Sequence, residues 1–201
     1  LGGNTPLGYE SEGTEYCKVD GKKRKTFHLK LIPEEAQLVQ MIFSKFLELK
    51  SLTKLETYLL NQDYKTRQGK PFSRFAIREL IMNPVYAKAD EAMYQYLISN
   101  DVHPFSDHEN FDGNHGIMAY NRTEQTKGST TRKKPMEEWV VSVGEHEGII
   151  SGEDWIAVQG LLDENKSKSY RWRAGQTNDA LLSGLLHCRC GHCMRPKVTN
   201  R

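Results

Sequence analysis

No stretch of this 201-residue chain approaches the run of about 18 apolar residues that a membrane-spanning helix needs, so a membrane span is not expected. An initiating Met and an apolar signal stretch are both missing from Leu1-Gly2-Gly3-Asn4, which reads as the start of an excised fragment. Cysteine is scarce, four residues in all, and without a secretory signal nothing points to a disulfide-stapled extracellular scaffold. Net charge is scarce as well. The 28 Lys and Arg against 26 Asp and Glu leave +2, which by itself argues against a uniformly basic nucleic-acid binder. Lys and Arg are absent from Ala89 to Gly116, where Asp90, Glu91, Asp101, Asp107, Glu109 and Asp112 all fall. That segment holds −6, so the rest of the chain holds +8.

The positive charge comes in bursts: Lys22-Lys23-Arg24-Lys25, Lys65 to Lys70, Arg132-Lys133-Lys134 and Lys166 to Arg173. Any one run reads equally as a solvated loop tip; four in one chain point to a patch facing a polyanion. With 37% hydrophobic residues the chain is long enough for one or two domains with a packed core.

Tyr9 to Val19 and Lys25 to Leu31 read as two strands joined at Asp20-Gly21, with Lys23 and Arg24 at or beside the hairpin tip. Pro33-Glu34-Glu35 opens a helix, with Pro at the first helical position and carboxylates at the positive end of the dipole. Leu38, Val39, Ile42, Phe43, Phe46 and Leu49 then recur at helical spacing. A second helix has Ser51 or Thr53 as cap, a Thr53-x-x-Glu56 capping box, and Leu52, Leu55, Leu59 and Leu60 as its apolar face. After a basic loop from Lys65 to Pro71, a third helix opens at Ser73 and runs to Met82, with Phe75, Ile77, Leu80 and Ile81 apolar; Asn83-Pro84 ends it.

Two short helices joined by a basic loop suggest a helix-turn-helix-like unit. The connection is long for the strict form, so a looser, winged-helix-like arrangement fits better. Arg74 and Arg78 are one turn apart on one face, Ser73 with the helical amides would seat a phosphate, and Arg67 and Lys70 would grip others. Further on, Ala92 to Ser99 reads as strand or helix alike. Arg122 to Pro135 reads as a flexible basic loop, Glu138 to Val143 as a strand, and Ser151-Gly152-Glu153-Asp154 as the cap of another helix. The expected fold is α+β, a helical winged-helix-like DNA-binding core with small antiparallel β elements.

Three cysteines crowd into His187-Cys188-Arg189-Cys190-Gly191-His192-Cys193. Disulfides between residues so close are geometrically poor, whereas thiolates around a Gly turn make half of a tetrahedral metal site. Cys188, Cys190 and Cys193 are therefore candidate ligands. Zinc is expected only when a second Cys pair, missing before Arg201, is also present.

Several segments together resemble one family. Gly2-Gly3, Pro6-x-Gly8-Tyr9, Pro33-Glu34-Glu35-Ala36 and Ile42-Phe43 are similar to the opening of the recombinase domain of large serine recombinases. Gly69-Lys70-Pro71-Phe72-Ser73, Ile77-Arg78, Asn83-Pro84-Val85-Tyr86, and His146-Glu147-Gly148-Ile149-Ile150-Ser151 with Trp155 continue the likeness. Leu182-Ser183-Gly184-Leu185-Leu186 with Cys188, Cys190 and Gly191 resembles the entry to that family's zinc ribbon. Departures include Asp63 and Lys88 where Gly is common, Phe72 where Trp is common, and a Cys-x-Cys rather than Cys-x-x-Cys spacing.

The resemblance implies a recombinase DNA-binding domain over 1–165, a basic linker over 166–180, and an incomplete zinc ribbon over 181–201. It implies double-stranded attachment-site DNA as partner, self-association through regions outside the chain, and a bacterial cytoplasmic, nucleoid-associated location. The nucleophilic serine would reside in a separate N-terminal domain. Ser51 and Ser73 read as caps, so the fragment is not expected to be catalytic by itself. His192-x-x-Arg195 echoes the tyrosine recombinases, but the last tyrosine, Tyr170, lies upstream of it. A winged-helix and zinc-ribbon transcriptional regulator fits the local physics too, as does a protein-interaction module using the acidic Ala89–Gly116 segment. On the DNA-binding reading, that segment should face away from DNA.

Overall fold

The computed structural model of the chain describes residues 5–19, 22–125, 130–167, 187–190 and 194. The chain divides into two compact units, Leu1–Leu162 and Asp163–Arg201.

The first unit opens with strands β1 (Tyr9–Val19) and β2 (Lys22–Leu31), an antiparallel hairpin in register from Tyr9 opposite Leu31 to Val19 opposite Lys22. The second strand thus begins three residues earlier than expected, and the register shifts between Gly13 and Tyr16. Tyr9 and Leu29 at the base of the hairpin are buried. Helix α1 (Pro33–Leu49) follows as the sequence predicts, with Pro at its start, Glu34 and Glu35 in its first turn, and Val39, Ile42, Phe43 and Phe46 buried. Burying each such side chain contributes about 1.5–3 kcal/mol.

Helix α2 (Leu52–Asn61) is capped by Ser51, whose Oγ accepts from Lys54 N. The expected Thr53–Glu56 capping box does not form, because Glu56 is drawn to the start of the next helix. Leu55 and Leu59 are buried, but Leu60 is 60% exposed, correcting its place on the apolar face. Asp63 has φ 56°, and Tyr64 N donates to Leu59 O while Asp63 N donates to Leu60 O. This is a Schellman ending, with an aspartate in the left-handed position that glycine would occupy without strain. Lys88, the other departure from glycine, is not among the positive-φ residues, so Lys costs nothing there.

Helix α3 (Arg74–Ile81) begins on Ser73, whose Oγ accepts from Ala76 N at 3.2 Å. A 3-10 turn at Pro84–Tyr86 then leads into the segment that ties the unit together. Tyr86 O accepts from Ile149 N and Ile150 N, Lys88 N donates to Ile150 O, and Ile117 N donates to Ala87 O. Val85 O takes hydrogen bonds from Tyr9 Oη at 3.3 Å and His146 Nε2 at 2.9 Å. Trp155 Nε1 reaches Asn83 O and Gln159 Nε2 reaches Ile81 O. Sequence-distant elements therefore meet on residues 81–88, the end of α3 and the segment that follows it.

The undecided stretch is helix α4 (Glu91–Ser99), fixed by its N-cap Asp90. One oxygen of Asp90 accepts from Met93 N at 2.9 Å and the other from Gly152 N at 2.7 Å, so one carboxylate seats two helix starts. Strand β3 (His115–Tyr120) pairs antiparallel with β6 (Val140–Glu147), which begins later and runs longer than expected because Met136–Glu138 forms a 3-10 turn. Strands β4 (Thr123–Glu124) and β5 (Arg132–Lys133) form a short hairpin within the stretch expected to be a flexible loop. Helix α5 (Gly152–Ser167) has the Ser151 cap and a buried Trp155.

In the second unit Cys188 and Cys190 are joined by a disulfide, with Cα atoms 5.3 Å apart. The expectation that residues so close would not pair is corrected here: Cα atoms at this separation lie within ordinary disulfide reach. Cys193 and the expected linker residues 168–180 lie outside the described residues.

Candidate nucleic-acid interface

Helix α3 carries the basic surface. Ile77 and Ile81 are fully buried and Phe72 nearly so, which fixes the helix against the core. Arg74 is exposed and Arg78 half-buried on the outer side, one turn apart. Lys70 is exposed on the loop just before the helix. No carboxylate lies within ion-pair distance of Lys70, Arg74 or Arg78 among the described residues. Three cations with no paired carboxylate among the described residues thus sit on or just before a helix anchored in the core.

The start of α3 is not an open anion seat. Arg74 N donates to Glu56 Oε1 at 2.8 Å, so the protein supplies the negative group there itself. Ser73 is committed to its own helix in the same way. Its place in the site is to start α3, not to present a free hydroxyl.

Arg67, expected to grip phosphate, is held inside the chain. Its Nε donates to Glu35 Oε1 at 2.7 Å, and its Nη2 donates to Glu35 Oε2 and to Tyr9 O. Its Nη1 donates to Thr5 O at 3.2 Å. Glu35 also accepts from Gly8 N at 2.8 Å. The hydrogen bond from Arg67 holds the Glu35 carboxyl below the ordinary range against the opposing effect of partial burial. Arg67 thereby pins three segments together: the N-terminal arm, the first turn of α1, and the loop entering α3. That loop is itself tight, with Thr66 N donating to Lys70 O and Gly69, at φ 71°, donating to Thr66 O.

The β4–β5 hairpin docks against the other end of α3. Lys133 pairs with Glu79, and Arg122 Nη1 donates to Asn83 Oδ1 at 2.6 Å. The Arg122 guanidinium lies 5.3 Å from the Trp139 ring centroid and also reaches Met82 O. Burial lowers its pKa from the usual arginine range.

Lys23 and Arg24 stand on β2 opposite Lys18 and Cys17. Arg24 and Lys23 are roughly 17 and 20 Å along the strand from buried Leu29, at about 3.3 Å per residue. Their side chains lie outside the described residues.

The acidic segment makes its own contacts. His108 pairs with Glu91, His115 with Asp112, and His28 of β2 with the nearby Glu145 of β6. Among the described residues no hydrogen bond or ion pair links it to the 65–78 region. An open cleft of about 340 Å³ lined by Glu109, Asp112, His115 and Glu145 also lies there, with the wrong charge for a polyanion. No group of three or more His, Cys, Asp or Glu suited to a metal ion occurs among the described residues.

A family model described as Recombinase matches residues 33–165, well over half of the chain. The chain belongs to the Recombinase family. The resemblance to the recombinase domain of large serine recombinases is thus borne out at the level of the family. The match takes in Arg67, Lys70, Ser73, Arg74 and Arg78; Lys23, Arg24 and the three clustered cysteines fall outside it. A Bacillus subtilis (strain 168) protein named Putative DNA recombinase is 28% identical over 184 residues, covering 88% of this chain. The chain spans 31% of that relative's length. Two solved structures are similar in outline. One, of an LSR–DNA complex, covers 88% of this chain and 38% of its own, at 16% identity and TM-score 0.43. The other concerns the sequence requirements of the Listeria innocua prophage attP site and covers 96% of this chain and 55% of its own, at 19% identity and TM-score 0.43. Likeness at that level supports no residue-by-residue correspondence.

Sequence reasoning found the cations and the helix that bears them. It missed Glu35 and Glu56, whose partners are 32 and 18 residues away, and it grouped Phe75 with the apolar residues of the helix without separating it from the buried ones, whereas the ring is 72% exposed.

Proposed function

We propose that this chain is a DNA-binding portion of a large serine site-specific recombinase, which holds attachment-site DNA of a mobile element such as a phage or transposon while another part of the protein exchanges strands. The observation that carries the reading is α3: a helix anchored by Ile77 and Ile81 that presents Arg74 and Arg78 outward, with Lys70 at its entry and, among the described residues, no carboxylate paired with any of the three. In a major groove such cations contact phosphates or base edges, the first giving affinity and the second sequence discrimination. Family membership supports the assignment.

In this reading α2 and α3 are the helix pair of a winged-helix-like unit, and the β4–β5 hairpin docked through Lys133 and Arg122 is its wing. Arg67 acts by positioning the loop, while Lys23 and Arg24 extend the footprint along the duplex. The serines described in detail serve structure: Ser51, Ser73 and Ser151 cap helices, and Ser106 accepts from Val143 N. The reading assigns strand cleavage to a separate catalytic serine, and self-association to other regions of the full protein. The working location is the bacterial nucleoid. Among the described residues no helix is long and apolar enough to cross a membrane.

Zinc belongs to the proposal only conditionally. With Cys188 and Cys190 joined, the pair offers no thiolates, so the residues as arranged here do not fit the metal. Reduction and a second Cys pair are both required.

Selection from a pool of random-sequence duplexes tests the reading. Enrichment of one motif by the full chain, bound more tightly than scrambled duplex at matched salt, is the expected result. Failure to enrich any motif would exclude it.

A further inference from the structure

Phe75 is the most exposed large apolar side chain on α3 and one of the most exposed among the described residues. The helix does not need it inside, since Phe72, Ile77 and Ile81 fill the buried side. It stands on the first turn, directly after Arg74 and three residues before Arg78, where N-terminal residues of a recognition helix reach base edges. Glu79, four residues on and on the same side of the helix, would repel phosphates, but Lys133 of the hairpin neutralises it. An aromatic ring with cations on either side of it, on a surface whose nearby carboxylates are engaged, Glu79 by Lys133 and Glu56 by the Arg74 amide, suits a partner that is negative at its edges and apolar at one point.

Thymine in a major groove has that chemistry: phosphates on both flanks and a 5-methyl group on the groove floor. We infer that Phe75 is a specificity-determining residue that packs against a thymine methyl while Arg74 and Arg78 hold the flanking backbone or base edges. This rests on the DNA-binding reading and adds to it an apolar contact chosen for one base. A protein partner is the less favoured occupant, because the ring is bordered by cations rather than by further exposed apolar groups of α3.

The test uses the full chain and the duplex that it enriches from a random pool. Each thymine is replaced singly by deoxyuridine, which removes only the methyl group, and affinities are measured for wild type, Phe75→Ala and Phe75→Leu. Wild type should lose about fourfold at one position, the worth of one buried methyl. Phe75→Ala should bind the unmodified duplex roughly tenfold or more weakly and be indifferent to deoxyuridine at that position. Phe75→Leu should fall between. The ring is exposed, so the thermal midpoints of all three should agree. If wild type enriches a motif but Phe75→Ala binds it equally well, or no thymine separates the two proteins, the inference is overturned and the DNA-binding reading stands. If wild type enriches nothing, both fall.

Discussion

Arg67 offers the sharpest contrast between a charge read from sequence and a charge placed by the fold. Replacing it by Ala removes a two-point pair with Glu35 and the hydrogen bonds to Tyr9 O and Thr5 O. Each hydrogen bond to a charged group is worth about 1.5–3 kcal/mol when sheltered. The Arg67 side chain is 37% exposed, so water replaces part of what is lost and a surface pair counts for little. The expected net loss is about 2–3 kcal/mol of unfolding free energy, measured by urea denaturation followed by circular dichroism. Arg67→Lys should recover little, since one ammonium cannot span a carboxylate and two carbonyls. The acid branch of the stability profile should change too. Glu35 has a folded pKa below its unfolded value of about 4.3, so its contribution is present above that pH and is lost as pH falls through the folded pKa. Arg67→Ala should flatten this segment. Its salt dependence of DNA binding should match wild type, because no phosphate contact is lost. A variant with unchanged stability and a salt slope lower by about 0.9 would refute the clamp and make Arg67 a phosphate ligand.

Gly152→Ala should destabilise by about 2 kcal/mol in the same assay. A Cβ there would lie 2.1 Å from Asp90 Oδ1, and moving that carboxylate gives up the cap of α4 and the hydrogen bond to Gly152 N at the start of α5, at about 1 kcal/mol each. His146 is buried with its pKa lowered by desolvation, so the unfolded chain takes up the proton first. Stability should accordingly fall as pH drops below about 6.5, and His146→Gln, itself less stable, should lose that dependence. An unchanged slope in the variant would assign the effect to another group.

Local signals in the sequence carried far where one residue decides a local structure. Pro33-Glu34-Glu35 starts α1, Ser73 caps α3, and Asn83-Pro84 ends it. Spacing carried less far at the edges of apolar stripes. Leu60 and Phe75 lie at those edges, and periodicity alone does not say on which side of the edge a side chain falls. Ala92 to Ser99 was ambiguous because Met93, Tyr94, Tyr96 and Leu97 suit either period; the cap at Asp90 settles it. The Arg67–Glu35 pair, the Glu56 contact to α3, and the meeting of residues 81–88 with β3, β6 and α5 are long-range facts with no local signature. The candidate site was thus legible as a list of cations. Which of them are free to meet DNA was not, because that depends on carboxylates folded in from elsewhere.

The central claim is that Lys70, Arg74 and Arg78 are the cations that meet DNA. Its most direct test is the salt dependence of binding to the enriched duplex, for wild type and for the Lys70→Ala, Arg74→Ala, Arg78→Ala triple variant. The slope of log affinity against log salt should fall by about 0.9 for each phosphate contact removed, up to about 2.7 in all, with the fold intact. A triple variant that binds with wild-type affinity and an identical slope would contradict the account.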